Sequence, residues 1–383
     1  MDFSINEEMQ MMVDTMRKFV DRRVDPLGAL IEEEDRIPDE IIQECKELGL
    51  FGLSIPVEYG GVGTDMVGKC LVLEQLGRTC NGFTTLLGGH NGIGSVGIVK
   101  MGNEEQKRKY LPRMASGEMI GAFALTEPNA GSDAASIRTR AERKGDHYVL
   151  NGTKHFITNG PVAGVYTVMA VTDKTKGPKG ITSFIVERAF PGLSIGKIEK
   201  KMGLHGSYSS EIIFEDCMVP AENVLGEEGQ GYMNALKILA NGRAGLAARN
   251  LGSMQKLLEM SVRYAQERIQ FKQPIANFQA IQHMLADMAV DVEATRSFTY
   301  RVAWMVDQDM KVIKEAAMLK YFASEAYGRV ADKAVQIFGG MGYMTELPIE
   351  RYYRDARIAR IYEGTSEIQK NIIAAQLLRE YPV

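Results

Sequence analysis

The hydrophobic pattern changes its period twice along the chain, and that change bounds the folds open to it. Up to about residue 120 the apolar residues recur at helical spacing. Met9, Met12, Val13, Met16 and Val20 follow a cap-like Ser4-Ile5-Asn6, and Ile37-Pro38-Asp39-Glu40 opens a further helix with proline where its fixed φ is favoured. From about 121 to 230 the runs are short, β-branched and aromatic: Tyr148-Val149-Leu150, 165–171, 181–186 and Ile212-Ile213-Phe214. Turn residues such as Asn151-Gly152, Asn159-Gly160 and Pro191-Gly192 bound them. No helical pattern separates these strands, so their pairing is expected to be antiparallel. From 231 onward helices return and are long. One stripe is Ile281, Leu285, Met288 and Val292, another Ile368, Ile372 and Ala375, and the short links predict a four-helix bundle. The expected class is α+β, mostly α: an N-terminal helical domain over 1–120, an antiparallel β-domain over 121–230 and a helical bundle over 231–383.

Composition removes several function classes. With 383 residues, 45% hydrophobic and 25% charged, the chain can bury a large core. A formal charge of −4 lacks the basic surplus of a nucleic-acid binder. No run approaches the ~20 apolar residues of a membrane span. The acidic start MDFSINEEMQ is unlike a signal or transit peptide, so a cytoplasmic location without membrane or nucleic-acid partners is expected. Cys45, Cys70, Cys80 and Cys217 are too scattered for a disulfide framework or a zinc site, and no metal is expected.

Gly92-Ile93-Gly94-Ser95-Val96-Gly97 is a literal G-x-G-x-x-G, but its helix-rich surroundings lack the strand and the βαβ unit that a dinucleotide fingerprint needs. Small residues that let two helices, or a helix and a ligand, approach closely are the better reading. His90, His147, His155, His205 and His283 come with no H-E-x-x-H or G-x-S-x-G, which leaves hydrolytic chemistry unsupported. Arg351, Arg354, Arg357 and Arg360, interleaved with Glu350 and Asp355, read as a solvated helical face.

Two segments carry more. Residues 123–133, with Thr126-Glu127-Pro128 and Gly131-Ser132-Asp133, and residues 151–160 gather hydroxyls and backbone amides around proline and glycine, which suits an anion or a heteroaromatic ring. They serve equally as turn chemistry. Tyr362-Glu363-Gly364-Thr365-Ser366 precedes a helix whose start is marked by Ser366 and Gln369 as a capping box. Glu363 is there either a carboxylate favoured by the helix dipole or a general base beside an amide that can polarise a carbonyl.

Taken in order, Leu125-Thr126-Glu127-Pro128…Gly131-Ser132-Asp133, 156–160, Glu267-Arg268-Ile269-Gln270-Phe271, 336–340 and Tyr362-Glu363-Gly364-Thr365 resemble the acyl-CoA dehydrogenase family over essentially the whole chain. The resemblance implies a bound FAD and α,β-dehydrogenation of an acyl-CoA thioester to the trans-2-enoyl-CoA. It places Phe123, Leu125 and Thr126 along the flavin, Gly131 and Ser132 near its pyrophosphate, and Phe156 and Thr158 on another face. Arg268, Phe271, Gln279, Gln336, Gly339 and Gly340 match positions that reach FAD partly across a subunit interface, which implies a homotetramer built as a dimer of dimers. Thr365 and Glu367 match the last cofactor contacts.

Glu363 matches the family's catalytic base. The other position some members use is Gly242 here, beside Arg243, and glycine has no acid–base group. Ser132, Arg243 and Gly364 are expected to meet the substrate. Gly88, Gly89 and Gly92 are expected at the bottom of the acyl pocket, where missing side chains leave room. The resemblance also implies an electron-transferring flavoprotein as acceptor. Pieces such as 131–138, 199–203, 219–226 and 239–243 look most like the long- and very-long-chain branch, but without its C-terminal membrane-associated extension. A medium-to-long straight acyl chain is therefore expected. The alternatives are a short- or branched-chain enzyme and an oxygen-using acyl-CoA oxidase.

Overall fold

The structure, a computed structural model, describes residues 5–382. Asn6 caps α1 (Glu7–Phe19) by accepting the Met9 N–H at 2.8 Å; Ser4 of the expected cap lies outside the described residues. Next come α2 (Gly28–Glu34) and α3 (Asp39–Glu47), with Pro38 at the α3 N-cap. Asp65 caps α4 (Met66–Leu76), a helix with no polar face, in which Lys69 and Glu74 are buried beside the apolar residues. The chain continues through α5 (Asn81–Gly88), a π-helical turn Gly89–Gly94, α6 (Val96–Met101) and α7 (Glu104–Ala115).

Seven strands form one sheet: β1 (Gly121–Ala124), β2 (Arg140–Lys144), β3 (His147–Thr158), β4 (Val165–Val171), β5 (Ile181–Glu187), β6 (Leu193–Ile198) and β7 (Ser209–Pro220). Their order is β1-β4-β2-β3-β7-β6, with β5 also paired to β4. Pairing is antiparallel except where β1 meets β4, from Gly121↔Val165 to Ala124↔Val168, and at the single contact Arg140↔Val171. The expectation of purely antiparallel pairing missed this because the return from β1 to β4 is made by the β2–β3 hairpin and not by a helix. Between Lys154 and Ile157 the β3–β7 register shifts, a bulge that turns Phe156 outward with φ +58°.

The bundle consists of α8 (Gly231–Glu267), α9 (Gln279–Asp307), α10 (Ile313–Phe338) and α13 (Ser366–Glu380). The short pair β8 (Ile269–Gln270) and β9 (Gln273–Pro274) links α8 to α9, and α11 (Gly340–Tyr343) and α12 (Ile349–Ile358) lie between α10 and α13. Of the expected stripe, Met288 and Val292 are buried and Ile281 and Leu285 half-buried, while on α13 Ile368 and Ile372 are half-buried and Ala375 is exposed. The Asp307 carboxylate accepts the Met66 and Val67 N–H groups at 2.7 and 3.0 Å, so the end of α9 caps the start of α4 and ties the bundle to the N-terminal helices.

Of two expectations about local segments, the arginine run is corrected and the close-approach reading of the glycine motif is met. The arginine run is not a solvated face. Arg351 is buried, Arg354 bridges Glu32 and Glu350, and Arg360 pairs with Glu325; Arg357 alone of the four is exposed. Periodicity could not show this because Glu32 arrives from α2. The glycine motif spans the π-helical turn and α6. Gly94 approaches β1 so closely that a Cβ would lie 2.6 Å from the Gly121 carbonyl oxygen, which is the close-approach role. His90 is structural: its Nδ1 accepts the Gly121 N–H at 2.9 Å, Nε2 lies 3.0 Å from the Phe51 oxygen, and burial lowers its pKa to about 4.

All four cysteines are free and buried. Among the described residues no helix is long and apolar enough to cross a membrane, and no cluster of three metal-ligating side chains occurs.

Candidate active site

The segment between α12 and α13 is strained and firmly held. Glu363 has φ +54° and Gly364 φ +91°. Left-handed backbone costs a residue with a Cβ about 1–2 kcal/mol, so Glu363 keeps this geometry only under restraint. Lys320 of α10 donates to the Gly364 oxygen at 2.7 Å, and Gln369 donates to the oxygens of Glu363 and Gly364 at 3.2 and 3.0 Å. Burial lowers the Lys320 pKa to about 8 against the pull of Glu363. The helix cap falls one residue earlier than expected. The Thr365 side chain accepts the Ile368 N–H, which frees Gln369 to turn back to the loop, while Ser366 donates to Glu325 at 2.7 Å. Glu367 is exposed in the first turn of α13.

This restraint aims the Glu363 side chain at α8. Its Oε2 is buried without a hydrogen-bond partner among the described residues, and a Cβ on Gly242 would lie 3.0 Å from it. Gly242 thus makes room for the carboxylate, which keeps an uncommitted lone pair. The Glu363 N–H finds no backbone carbonyl among the described residues. Arg243 is buried with its Nε unpartnered; burial lowers its pKa and Glu363 opposes that shift. Arg249, one helical turn and a half further along α8, brings Nη2 to 4.0 Å from Glu363 Oε1.

The three glycines expected at the pocket bottom divide. A Cβ on Gly88 would lie 2.6 Å from Arg249 Nη1, and one on Gly89 would lie 3.0 Å from Thr158 Cγ2 and 3.1 Å from Asn159. Those two glycines accept other side chains and leave no extra depth. Only at Gly92 does a Cβ meet nothing within 4 Å.

On the sheet side, the His155 N–H donates to the Thr126 oxygen at 2.8 Å, which joins the two turn-rich segments. Beneath them the buried Lys154 donates to the Leu125 oxygen at 3.0 Å and to Glu127 at 2.7 Å. Glu127 also accepts the Arg138 and Thr139 N–H groups at 2.6 and 2.9 Å. Burial would raise the Glu127 carboxyl, but Lys154 and these donors outweigh it and hold its pKa below the usual range. Phe123 and Leu125 are buried, Thr126 and Thr158 half-buried, and Gly131 and Ser132 exposed. A Cβ on Gly131 would touch nothing. Phe156 is 61% exposed and stacked on His155 with ring centroids 3.9 Å apart, a preformed aromatic platform. Open backbone, hydroxyls and a flat apolar face are what a flavin requires, and these residues fit it.

The remaining expected cofactor residues lie elsewhere. Arg268, Phe271, Gln279, Gln336, Gly339 and Gly340 are all exposed, grouped where α8 ends, α9 begins and α10 ends; Phe271 is 87% exposed with φ +49°. From Gly242 to Arg268 the chain runs 26 residues along α8, roughly 39 Å at 1.5 Å per residue. Within one chain they stand far from Glu363.

Sequence reasoning missed Lys320, Gln369, Arg249 and Lys69. The one available signal was a charge inside an apolar run, visible for Lys69 in α4.

Comparisons with known proteins agree with this geometry. The acyl-CoA dehydrogenase N-terminal, middle and C-terminal domain models match residues 6–118, 122–217 and 229–378. The chain is 42% identical to "Acyl-CoA dehydrogenase, short-chain specific" of Clostridium acetobutylicum, over 99% of this chain and 100% of that protein. Butyryl-CoA dehydrogenase from Megasphaera elsdenii superposes with TM-score 0.96 at 40% identity, covering 99% of this chain and 100% of that one. A chain from a study titled for the electron transferring flavoprotein of Acidaminococcus fermentans superposes with TM-score 0.96 at 43% identity, with the same coverage.

The expected likeness to the long- and very-long-chain branch is corrected by these relatives, one named short-chain specific and one a butyryl-CoA dehydrogenase. Two of the three glycines taken as pocket depth, Gly88 and Gly89, face other side chains, and Gly92 alone is open. Helical, sheet and helical regions in that order, a half-buried glutamate facing a glycine, a platform fit for a flavin and matches to all three domain models lead to one conclusion: the chain belongs to the acyl-CoA dehydrogenase family and is an FAD-dependent oxidoreductase acting on a CH–CH bond.

Proposed function

We propose that the protein is a short-chain acyl-CoA dehydrogenase that converts a short straight-chain acyl-CoA to its trans-2-enoyl-CoA, with Glu363 as the base. The observation that carries this is the unpartnered, buried Oε2 of Glu363 beside Gly242 and the open flank of Gly92. An α-hydrogen of a thioester is a weak acid, so the base must be close, aligned and free of competing donors. Lys320 and Gln369 fix its backbone, and Gly242 leaves its reacting oxygen unobstructed. The free Glu363 N–H is placed to donate to the thioester carbonyl, an interaction often worth ~3–4 kcal/mol as negative charge develops on that oxygen. Arg243 and Arg249 add a positive field on the same side. Phe123, Leu125, Thr126, Gly131, Ser132, Phe156, Thr158 and Thr365 would hold FAD, which would supply the acceptor for the β-hydrogen.

The names of the relatives and the filled Gly88 and Gly89 support a short acyl chain. The neighbouring structure titled for an electron-transferring flavoprotein supports such a protein as electron acceptor. Because the exposed residues near Arg268 stand far along α8 from Glu363, a cofactor touching both groups needs a second chain, which supports the dimer-of-dimers reading.

The test is anaerobic bleaching of the flavin across an acyl-CoA series. Butyryl-CoA is expected to bleach it faster than octanoyl- or palmitoyl-CoA, and Glu363→Gln to bind FAD yet remain yellow. An optimum at octanoyl-CoA or longer removes the short-chain assignment, and peroxide formed in air as fast as the flavin is reduced replaces dehydrogenase with oxidase.

A further inference from the structure

Beyond Glu363 lie further buried cationic side chains, Arg249 and Lys69, whose donating capacity the base does not take up. Arg249 is 6% exposed, and its guanidinium lies flat on Gly88, whose missing Cβ admits it. Among the described residues its one protein hydrogen bond is from Nη1 to the Thr84 oxygen at 3.2 Å, and Glu363 at 4.0 Å is beyond hydrogen-bond reach. Arginine has five N–H donors, so most of its donating capacity is unspent. Lys69 of α4 is likewise buried. It donates to Ser54 Oγ at 2.5 Å and reaches the Asn91 oxygen at 3.5 Å, and the carboxylate whose field it feels is again that of Glu363. By contrast its neighbour on the same helix, Glu74, has both Arg296 and Tyr300 as partners.

Arg249 and Lys69 therefore join Arg243 and Lys320 around one carboxylate, and that carboxylate becomes neutral when it takes the α-proton. Buried charge left without a counterion is costly. A ligand that brings its own negative group resolves the imbalance at the moment it arises. We propose that Arg249, backed by Lys69, is the specificity-determining group of the acyl pocket and selects a short acyl group whose far end is a carboxylate. This rests on the dehydrogenase reading above. Arg249 lies just beyond the carboxylate that meets the α-carbon, so a short chain reaches it, and the planar guanidinium offers a carboxylate two parallel hydrogen bonds. An apolar tail of the same length would desolvate the cations with nothing in return.

The experiment compares glutaryl-CoA with pentanoyl-CoA, which have the same carbon count and differ in the terminal group. In the holoenzyme, kcat/KM for flavin reduction is expected to be at least 10-fold higher for glutaryl-CoA. Arg249→Met is expected to lower the glutaryl-to-pentanoyl ratio about 100-fold, and Arg249→Lys to recover part of it. A wild-type preference for pentanoyl-CoA overturns the assignment without any variant. An unchanged ratio in a folded, flavin-loaded Arg249→Met also overturns it, because a purely structural arginine would slow both substrates alike. Failure of both thioesters to bleach the wild-type flavin would instead bring down the dehydrogenase reading on which the assignment stands.

Discussion

Gly242 acts through what it lacks. A Cβ there would stand 3.0 Å from Glu363 Oε2, closer than most carbon–oxygen contacts in folded proteins. Gly242→Ala is expected to push the carboxylate aside and slow anaerobic flavin reduction by 10- to 100-fold, since a displacement near 1 Å costs about that much. FAD content, read from the visible spectrum, should not change. At this scale the sequence was informative in an uneven way. Glu363 could be found because its motif is local, and Gly242 because a missing carboxylate is visible in a string of letters. Lys320 and Gln369 could not be found. Lys320 lies 44 residues from the carbonyl it holds. Gln369 has the spacing of a capping-box partner to Ser366, but the cap itself sits at Thr365 and leaves the Gln369 amide to the loop.

At the scale of elements, α12 shows how a helix can be read correctly and its faces misread. Asp355 is buried and accepts the N–H groups of Leu204 at 2.5 Å and Asn81 at 3.3 Å, so α12 holds both the loop before β7 and the start of α5. Burial, with repulsion from Glu32 and partial relief from Arg354, raises its pKa to about 6. The folded state thus favours the protonated acid, and Asp355 contributes stability that is present below pH ~4 and lost as the pH rises through 6. Asp355→Asn removes this one titration. Urea unfolding from pH 4 to 7 should show wild type losing up to about 3 kcal/mol relative to the variant, on top of any constant offset from the altered hydrogen bonds. A difference that does not vary with pH would contradict the assignment. The periodicity of α8, α9 and α10 was legible because their apolar stripes are long. The β1–β4 parallel pairing was not, since strand direction depends on the route between strands and not on the strands themselves. Nor was the bulge that presents Phe156, where a register shift leaves no compositional trace.

Across the whole molecule, helical residues surround a sheet that sits between two helical regions, and cross-links such as Asp307 to α4 and Arg78 to Glu259 fix them together. Phe271, Tyr343, Leu378 and Tyr381 are exposed in the single chain, and the proposed assembly would offer such side chains a covering surface. Phe271→Asp is expected to shift the sedimentation coefficient toward smaller species and to lower FAD retention together. Loss of FAD with the assembly intact would assign Phe271 to the cofactor alone.

The length of α8 has a genetic consequence. It holds Glu363 and Arg268 far apart in one polypeptide, and in the proposed dimer-of-dimers assembly they would serve different pockets, so damage to either would be repaired by a sister chain. A strain making only Glu363→Gln, or only Arg268→Glu, should lack activity. A strain making both should regain about one functional pocket in four if the chains pair at random, because each mixed pair assembles one intact pocket and one doubly defective one. Two silent alleles would then behave as a partly working gene.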